Sequence, residues 1–279
     1  MTGPIPTPGD QFALLAALPD PRIDLGRAAL LLAADEYPDL DIDHALRRLD
    51  MLAANVAERI DPDAGPVDHA DVLCEYLFRQ RGFAGDTENY FDPRNSYLND
   101  VLERRVGLPI TLSVLAIEVG RRAGLPVRGV GLPGHFVCRY DAPGVELFFD
   151  PFHGGRHLTA AECHEIALRA MNGYGFSNRQ FLEPVGPRAI LTRMLVNLKG
   201  IYLHQGDMER TVRTVDRLLH LNPGSAGEHR DRGLLHLGAR RWHAALQDLS
   251  AYLTLNPEAP DADLVHRRIE GIWETLKRG

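Results

Sequence analysis

The chain has 279 residues, of which 44% are hydrophobic and 25% are charged, and its formal net charge is -7. This length allows one large domain or two smaller ones, and the composition is typical of a globular protein. The excess of acidic residues argues against nucleic acid as a partner, because phosphate binding requires a basic surface.

The sequence indicates neither a membrane protein nor a secreted protein. The N-terminus lacks a basic region followed by an apolar run, so we expect no signal peptide. The apolar stretches are shorter than the ~20 residues that span a bilayer. The odd number and wide spacing of the cysteines, at 74, 138 and 163, fit neither a disulfide framework nor a CxxC zinc site. We therefore expect a cytoplasmic protein with free thiols.

The first third of the chain is predicted to be helical, from about Phe12 to Arg81. Between residues 41 and 60, apolar residues recur at helical spacing and predict a helix with one buried face; they are Ile42, Ala45, Leu46, Leu49, Leu52, Ala53 and Val56. Residues 28–34 are apolar nearly all round, which indicates a buried helix.

The pattern changes to short β-rich segments after residue 126. The predicted strands are Val127 to Leu132, His135 to Tyr140 and Glu146 to Phe149. The segment Asp141-Ala-Pro-Gly144 predicts a hairpin turn between the last two. We expect a small antiparallel sheet packed on the apolar helix that precedes it, residues 112–123.

The last third is helical again, and it repeats. Asn222-Pro223 and Asn256-Pro257 lie 34 residues apart, and Met208 aligns with Trp242 in the same register. A period of 34 with a closing proline is the tetratricopeptide signature. Two repeats are visible, and the apolar residues of 261–278 predict a helix that caps them; they are Leu264, Val265, Ile269, Ile272 and Leu276.

The order of helix, histidine strand and aspartate strand is the layout of a papain-like acyl-transfer site. In such a site a thiol at a helix N-terminus reacts, a histidine takes its proton, and an acid orients the histidine. His135 and Asp150 lie on strands that the hairpin would pair, so we predict a His135/Asp150 dyad. The alternative is a core histidine that is hydrogen-bonded to a strand-end carboxylate.

The thiol of such a site is missing from the expected position. The helix begins Gly107-Leu-Pro109-Ile-Thr111, and Pro109 suits the first helical position but is no nucleophile. Thr111 and Ser113 carry hydroxyls nearby, although capping or back-bonding in the first turn explains both. Strand alternation places Cys138 on the opposite face from His135, which predicts a small apolar filler.

Two further site hypotheses remain open. Asp92-Pro93 and Asn95 suit a capped turn that leads into a helix at residues 96–105. In the alternative, Asn95 presents its amide to the His135/Asp150 site. His135, Asp150 and His153 would also suit a metal site, but their spacing matches no recognised ligand motif. Our prediction is therefore no metal and no cofactor, with a metal-dependent site as an alternative.

Several ordered motifs resemble one known family. They are Glu36-Tyr-Pro-Asp-Leu40, Tyr90-Phe-Asp-Pro-Arg-Asn95-Ser, Gly107-Leu-Pro-Ile-Thr-Leu-Ser113, Gly131-Leu-Pro-Gly-His135-Phe and Asp150-Pro-Phe-His-Gly-Gly155. Together they resemble the SirB-type proteins, bacterial proteins with a transglutaminase-like core followed by tetratricopeptide repeats. The resemblance implies an α+β, papain-like core over residues 10–187 and an all-α repeat region over 188–279.

The resemblance also bears on function. His135 and Asp150 match the histidine and aspartate of transglutaminases, whereas the transglutaminase cysteine has no match, and the SirB-type pattern itself has proline there. Calcium-dependent crosslinking is therefore not implied. We expect a non-crosslinking, regulatory protein that binds a protein or peptide through the repeat groove and the core cleft. The alternative is a hydrolase or acyl- or amide-modifying enzyme that uses the His135/Asp150 dyad.

Overall fold

A computed structural model of the chain describes residues 6–172 and 179–278. The chain divides into two compact units between residues 194 and 195. The first unit contains helices and both small sheets, and the second is entirely helical. The predicted α+β core followed by an all-α repeat region is therefore confirmed.

The first unit begins with four helices, α1 (Pro8–Ala16), α2 (Leu25–Ala33), α3 (Ile42–Ala57) and α4 (Pro66–Cys74). Asp24 and Asp41 start α2 and α3 by accepting hydrogen bonds from backbone N–H groups of their first turns. Every residue of α2 except Arg27 is buried, as its all-round apolar sequence predicts. α3 buries one stripe, as its period predicts; the buried residues are Ala45, Leu49, Leu52, Ala53 and Val56.

A polar segment connects these helices to the central helix. It contains two two-residue strands, β1 (Ala84–Gly85) and β2 (Val106–Gly107), which pair in parallel. Between them lie a 3₁₀ turn at Pro93–Ser96 and α5 (Leu98–Arg104). The predicted capped turn is confirmed at Asp92, which caps the 3₁₀ turn through the backbone N–H of Arg94. The helix begins two residues later than predicted, at Leu98, and its N-cap residue Tyr97 makes no side-chain cap.

The central helix α6 (Pro109–Arg122) is buried over its first three turns, from Pro109 to Gly120. Pro109 occupies its first turn, where the missing N–H costs little, as the sequence predicts. α6 packs against the first two strands of a four-stranded antiparallel sheet. The strands are β3 (Val127–Val130), β4 (Val137–Tyr140), β5 (Leu147–Asp150) and β6 (Arg156–Leu158).

The other face of this sheet is covered by α7 (Ala160–Ala170). Alternate strand residues Val137, Phe148 and Leu158 form a buried cluster with Cys163 of α7. Cys138 faces the opposite way and donates a long contact from Sγ to the backbone oxygen of Ser113 on α6, at 3.8 Å. The two faces of β4 therefore differ as strand alternation predicts.

The second unit contains the C-terminal half of α8 (Pro187–Gln205), then α9 (Met208–Leu221), α10 (Ala226–Gly238), α11 (Trp242–Leu255) and α12 (Ala262–Arg278). Met208 and Trp242 both begin helices, and Asn222 and Asn256 both end them, so the repeat register is confirmed. α12 packs through Val265 and Ile272, as predicted for a capping helix. Leu264 was wrongly assigned to that face, since it is exposed.

The described helices include none that combines the length and apolar character needed to cross a bilayer.

Candidate functional site

The candidate site lies where the segment before β4 meets the end of β5, the two central strands of the four-stranded sheet. His135 precedes β4 instead of lying on it, because β4 begins at Val137, so its predicted place on a strand was wrong. Asp150 is the last residue of β5. β4 and β5 pair with Cys138 opposite Phe149, which brings the segment before β4 next to the segment after β5.

Asp150 also determines the local backbone. One oxygen, Oδ1, accepts hydrogen bonds from the backbone N–H groups of Phe152 at 3.0 Å and His153 at 3.4 Å. These bonds cap the 3₁₀ turn Pro151–His153, and Gly154 and Gly155 follow in left-handed conformations. The turn brings His153 back over the carboxylate that caps it.

The second oxygen of Asp150 bonds to two imidazoles. Oδ2 lies 2.9 Å from Nε2 of His135 and 2.7 Å from Nδ1 of His153. The Asp150 side chain is fully buried, the His135 side chain is 12% exposed, and the His153 side chain is 55% exposed. One buried carboxylate therefore holds one enclosed and one accessible histidine.

The charge state of Asp150 follows from two opposing effects. Burial favours the neutral acid, but the hydrogen bonds and charges of His135 and His153 outweigh it and hold the pKa of Asp150 below its usual range. An ionised Asp150 accepts one hydrogen bond from each ring. His135 then carries its proton on Nε2, which leaves a lone pair on Nδ1.

Nδ1 of His135 has no hydrogen-bond partner within the described parts of the chain. An imidazole oriented by a buried carboxylate, with its second nitrogen free, is the arrangement of a general base. The same two histidines and carboxylate can also offer three ligand atoms to a metal, since these atoms lie within 4.8 Å of one another.

Aromatic rings surround the two histidines. Phe152 contacts His135 and His153 edge-on, with ring centroids 6.2 and 5.2 Å apart. Tyr90 contacts Phe152 at 6.1 Å and Phe91 at 5.4 Å. Phe91 is 68% exposed. The histidine pair therefore lies at one end of an aromatic surface that reaches solvent.

The predicted hydroxyl candidates are enclosed in α6. Thr111 is fully buried, and its hydroxyl has no partner among the described residues. Ser113 is also fully buried, and its hydroxyl donates back to the carbonyl of Pro109 at 2.8 Å. Neither hydroxyl is hydrogen-bonded to His135 within the described residues, so the structure does not bring either predicted hydroxyl to the dyad.

The three cysteines are free and buried. Burial raises the pKa of Cys74 and of Cys138 above the usual range, and burial raises the pKa of Cys163 to about 12. Reactive cysteines need the opposite, an accessible thiol with a lowered pKa. Each cysteine thus has the properties of an apolar filler, which the strand pattern predicted for Cys138.

Asn95 belongs to a separate polar network. Its side-chain N–H groups donate to Oδ2 of Asp86 at 3.1 Å and to the carbonyl of Asn89 at 2.8 Å, and its side-chain oxygen accepts from Arg104 at 3.2 Å. Its backbone carbonyl accepts from the N–H of Leu108, the residue before α6. Asn95 therefore ties the polar segment to the start of α6.

Sequence reasoning did not anticipate the bond between His153 and Asp150 or the contacts of Phe152. The signal that could have predicted them is Asp150-Pro151. An aspartate before a proline caps a short turn, and the third residue of that turn then lies close to the aspartate side chain. His157, by contrast, lies on β6 and pairs with Asp71 at 3.0 Å.

Comparisons with known proteins agree with this architecture. Residues 43–196 match the family described as the transglutaminase-like superfamily, and residues 198–270 match the tetratricopeptide repeat. A "UPF0162 protein" of Xylella fastidiosa is 40% identical, with 90% of each chain covered. One of Pseudomonas aeruginosa is 31% identical over 84% of this chain and 85% of its own.

A more distant similarity extends beyond bacteria. The "F-box only protein 21" of Mus musculus is 31% identical over 49% of this chain and 22% of its own length. No solved structure matches the chain significantly. With more than half of its length matched and relatives covered almost end to end, the chain belongs to the transglutaminase-like superfamily, among the UPF0162 proteins with C-terminal tetratricopeptide repeats.

Proposed function

We propose that this protein is a non-crosslinking, regulatory member of its superfamily that binds a protein or peptide partner. The observation that supports the proposal most is the start of α6: Pro109 occupies its first turn, where the papain-like layout would place a nucleophile. Thioester chemistry requires an accessible thiolate at that place. The free and buried thiols of this chain suit the reducing cytoplasm, where we place the protein.

The tetratricopeptide region supports the binding part of the proposal, because such repeats generally mediate protein–protein interactions. Val196 and Leu203 lie on the same face of α8, about two turns apart, and both are exposed apolar residues. Gly200 is exposed between them. We assign the peptide contact to this strip, which we define as Val196, Gly200 and Leu203.

A displayed library of random peptides, screened with the full-length protein, tests this proposal. We expect one enriched consensus sequence, whose synthetic peptide binds wild type but not the Val196→Asp/Leu203→Asp variant. Leu255→Asp is the matched control, because Leu255 is exposed at the end of another helix, and it should bind normally. Failure to enrich any sequence would refute a peptide-binding function.

Crosslinking is tested separately. Full-length protein incubated with a labelled primary amine and a glutamine-containing peptide should incorporate no label beyond the level of a protein-free control. Incorporation that is lost when one cysteine is replaced by alanine would refute the non-crosslinking proposal.

The bond between His135 and Asp150 favours a second candidate function, a hydrolase or acyl- or amide-modifying enzyme. His135 would act through Nδ1 as general base on water or on a nucleophile of the substrate. A panel of chromogenic esters and amides tests this candidate. His135→Ala should abolish turnover with an unchanged melting temperature, while His157→Ala should retain it. No turnover by wild type, or turnover that survives His135→Ala, would refute it.

A further inference from the structure

The second histidine on Asp150 is the feature of the site that a dyad does not require. In a dyad, one oxygen of a buried carboxylate orients one imidazole. Oδ2 of Asp150 already orients His135 in this way, 2.9 Å from its Nε2. His153 approaches the same oxygen more closely, at 2.7 Å, from a side chain that is more than half exposed. The turn Pro151–His153 holds it in that position.

We propose that His135, Asp150 and His153 form a binding site for a divalent first-row transition-metal ion of the zinc class. Two imidazole nitrogens and one carboxylate oxygen are the three-ligand set of catalytic zinc sites and of non-haem iron sites. Calcium and magnesium would not suit this set, because they prefer oxygen ligands throughout.

The distances allow such an ion with small adjustments. Tetrahedral bonds of about 2.1 Å place donor atoms about 3.4 Å apart. Nδ1 of His153 and Nε2 of His135 lie 2.7 and 2.9 Å from Oδ2 of Asp150, and all three donor atoms lie within 4.8 Å of one another. Because His153 is half exposed, its ring can move outward to widen the set.

The surroundings of Asp150 match those of a metal ligand. Its Oδ1 is held by the backbone N–H groups of Phe152 and His153, which fixes the carboxylate and points Oδ2 at the two imidazoles. Ligands of metals are commonly oriented by outer hydrogen bonds of this kind. Phe152 packs edge-on against both rings and encloses one side, while the exposure of His153 leaves room for water as a further ligand.

A metal ion and a proton compete for Nε2 of His135. Ligation requires the proton of His135 on Nδ1 and that of His153 on Nε2, so the ion replaces both hydrogen bonds to Asp150. The general-base arrangement described above therefore belongs to the metal-free protein. The peptide-binding proposal for the repeats does not depend on this site.

The test uses full-length protein without a histidine tag, stripped of metal by dialysis against a chelator. Titration with Co²⁺, followed by calorimetry and visible absorption, should show one ion per chain and the absorption bands of four- or five-coordinate cobalt. Zn²⁺ should displace it. His153→Ala and Asp150→Asn should each weaken Co²⁺ binding at least tenfold.

His157→Ala is the matched control. His157 is also a partly exposed histidine beside one carboxylate, but among the described residues its one ion-pair partner is Asp71, and it lies outside the three-residue set. We expect its affinity for Co²⁺ to stay within twofold of wild type. Circular dichroism confirms that each variant is folded. Binding of less than one equivalent by wild type, or equal binding by wild type and His153→Ala, would overturn the proposal.

Discussion

The loop that carries His153 offers a matched pair of substitutions, Gly154→Ala and Gly155→Ala. Both glycines have φ of 73°, a conformation in which an alanine costs about 1 kcal/mol. Around Gly154 the space is open, with no atom within 4 Å of an added Cβ among the described residues. At Gly155 the added Cβ would overlap the ring of Phe78 and lie 2.9 Å from Cβ of Cys74.

The two variants should therefore differ by the cost of overpacking alone. Inserting a methyl group into a packed site typically costs about 1–3 kcal/mol, so we expect a loss of about 1 kcal/mol for Gly154→Ala and of about 2–4 kcal/mol for Gly155→Ala. Urea unfolding followed by circular dichroism measures both free energies of unfolding. Equal losses in the two variants would refute the packing of this loop against Phe78 and Cys74.

Three further predictions concern stability. Asn95→Ala should lower the free energy of unfolding by about 2–5 kcal/mol, because it leaves buried partners without hydrogen bonds. The control is Asn55→Ala, at a partly buried position whose side chain donates to the Met51 carbonyl of the same helix; a loss below that of the control would restore Asn95 as a site candidate. Lys199→Ala should cost about 1–2 kcal/mol, because Glu228 and Asp231 lose the ammonium that they share, at 2.7 and 2.6 Å, in a partly exposed position; a neutral result in the same urea assay would contradict this. Burial opposes ionisation of Asp248, but Arg232 and His229 hold its pKa below the usual range. Its contribution to stability is therefore present above the unfolded pKa of about 4 and is lost as pH falls below it. Asp248→Asn should flatten the decline of the melting temperature below pH 4, and an unchanged slope would count against this assignment.

The helical parts of the fold could be predicted because their signals are local. The stripe of α3 and the all-apolar sequence of α2 each specify a helix and its buried face within a single segment. The repeats could be predicted because Met208 and Trp242, and the two Asn-Pro pairs, recur in register. Lys199 stands where the second repeat has Gly233, a small residue that suits the pattern. The structure gives a reason for the lysine, since it pairs with two carboxylates of α10.

The parts that sequence reasoning missed depend on distant partners. β1, β2 and β6 have two or three residues each, too few to show a period, and pairing alone defines them. Asn95 is polar and lies in a turn-rich segment, which suits a cap. Its actual role depends on Asp86, Asn89 and Arg104, and no local pattern specifies them.

The candidate site could be predicted in part for the same reason. The pairing of β4 with β5 brings His135 to Asp150, as the predicted hairpin implied. The place of His135 in a loop, not on the strand, depends on where pairing stops. The contact between His153 and Asp150 depends on the geometry of the 3₁₀ turn. In that turn Oδ1 of Asp150 accepts from the backbone, while Oδ2 contacts the His153 ring.

The central claim, that this transglutaminase-like domain has no reactive thiol, is tested most directly by alkylation of the folded protein. Full-length protein is incubated with iodoacetamide at neutral pH, and its intact mass is followed with time, before and after unfolding in guanidinium. The burial and raised pKa values of Cys74, Cys138 and Cys163 predict no modification of the folded protein and three modified thiols after unfolding. Rapid alkylation of one cysteine in the folded protein would contradict the account.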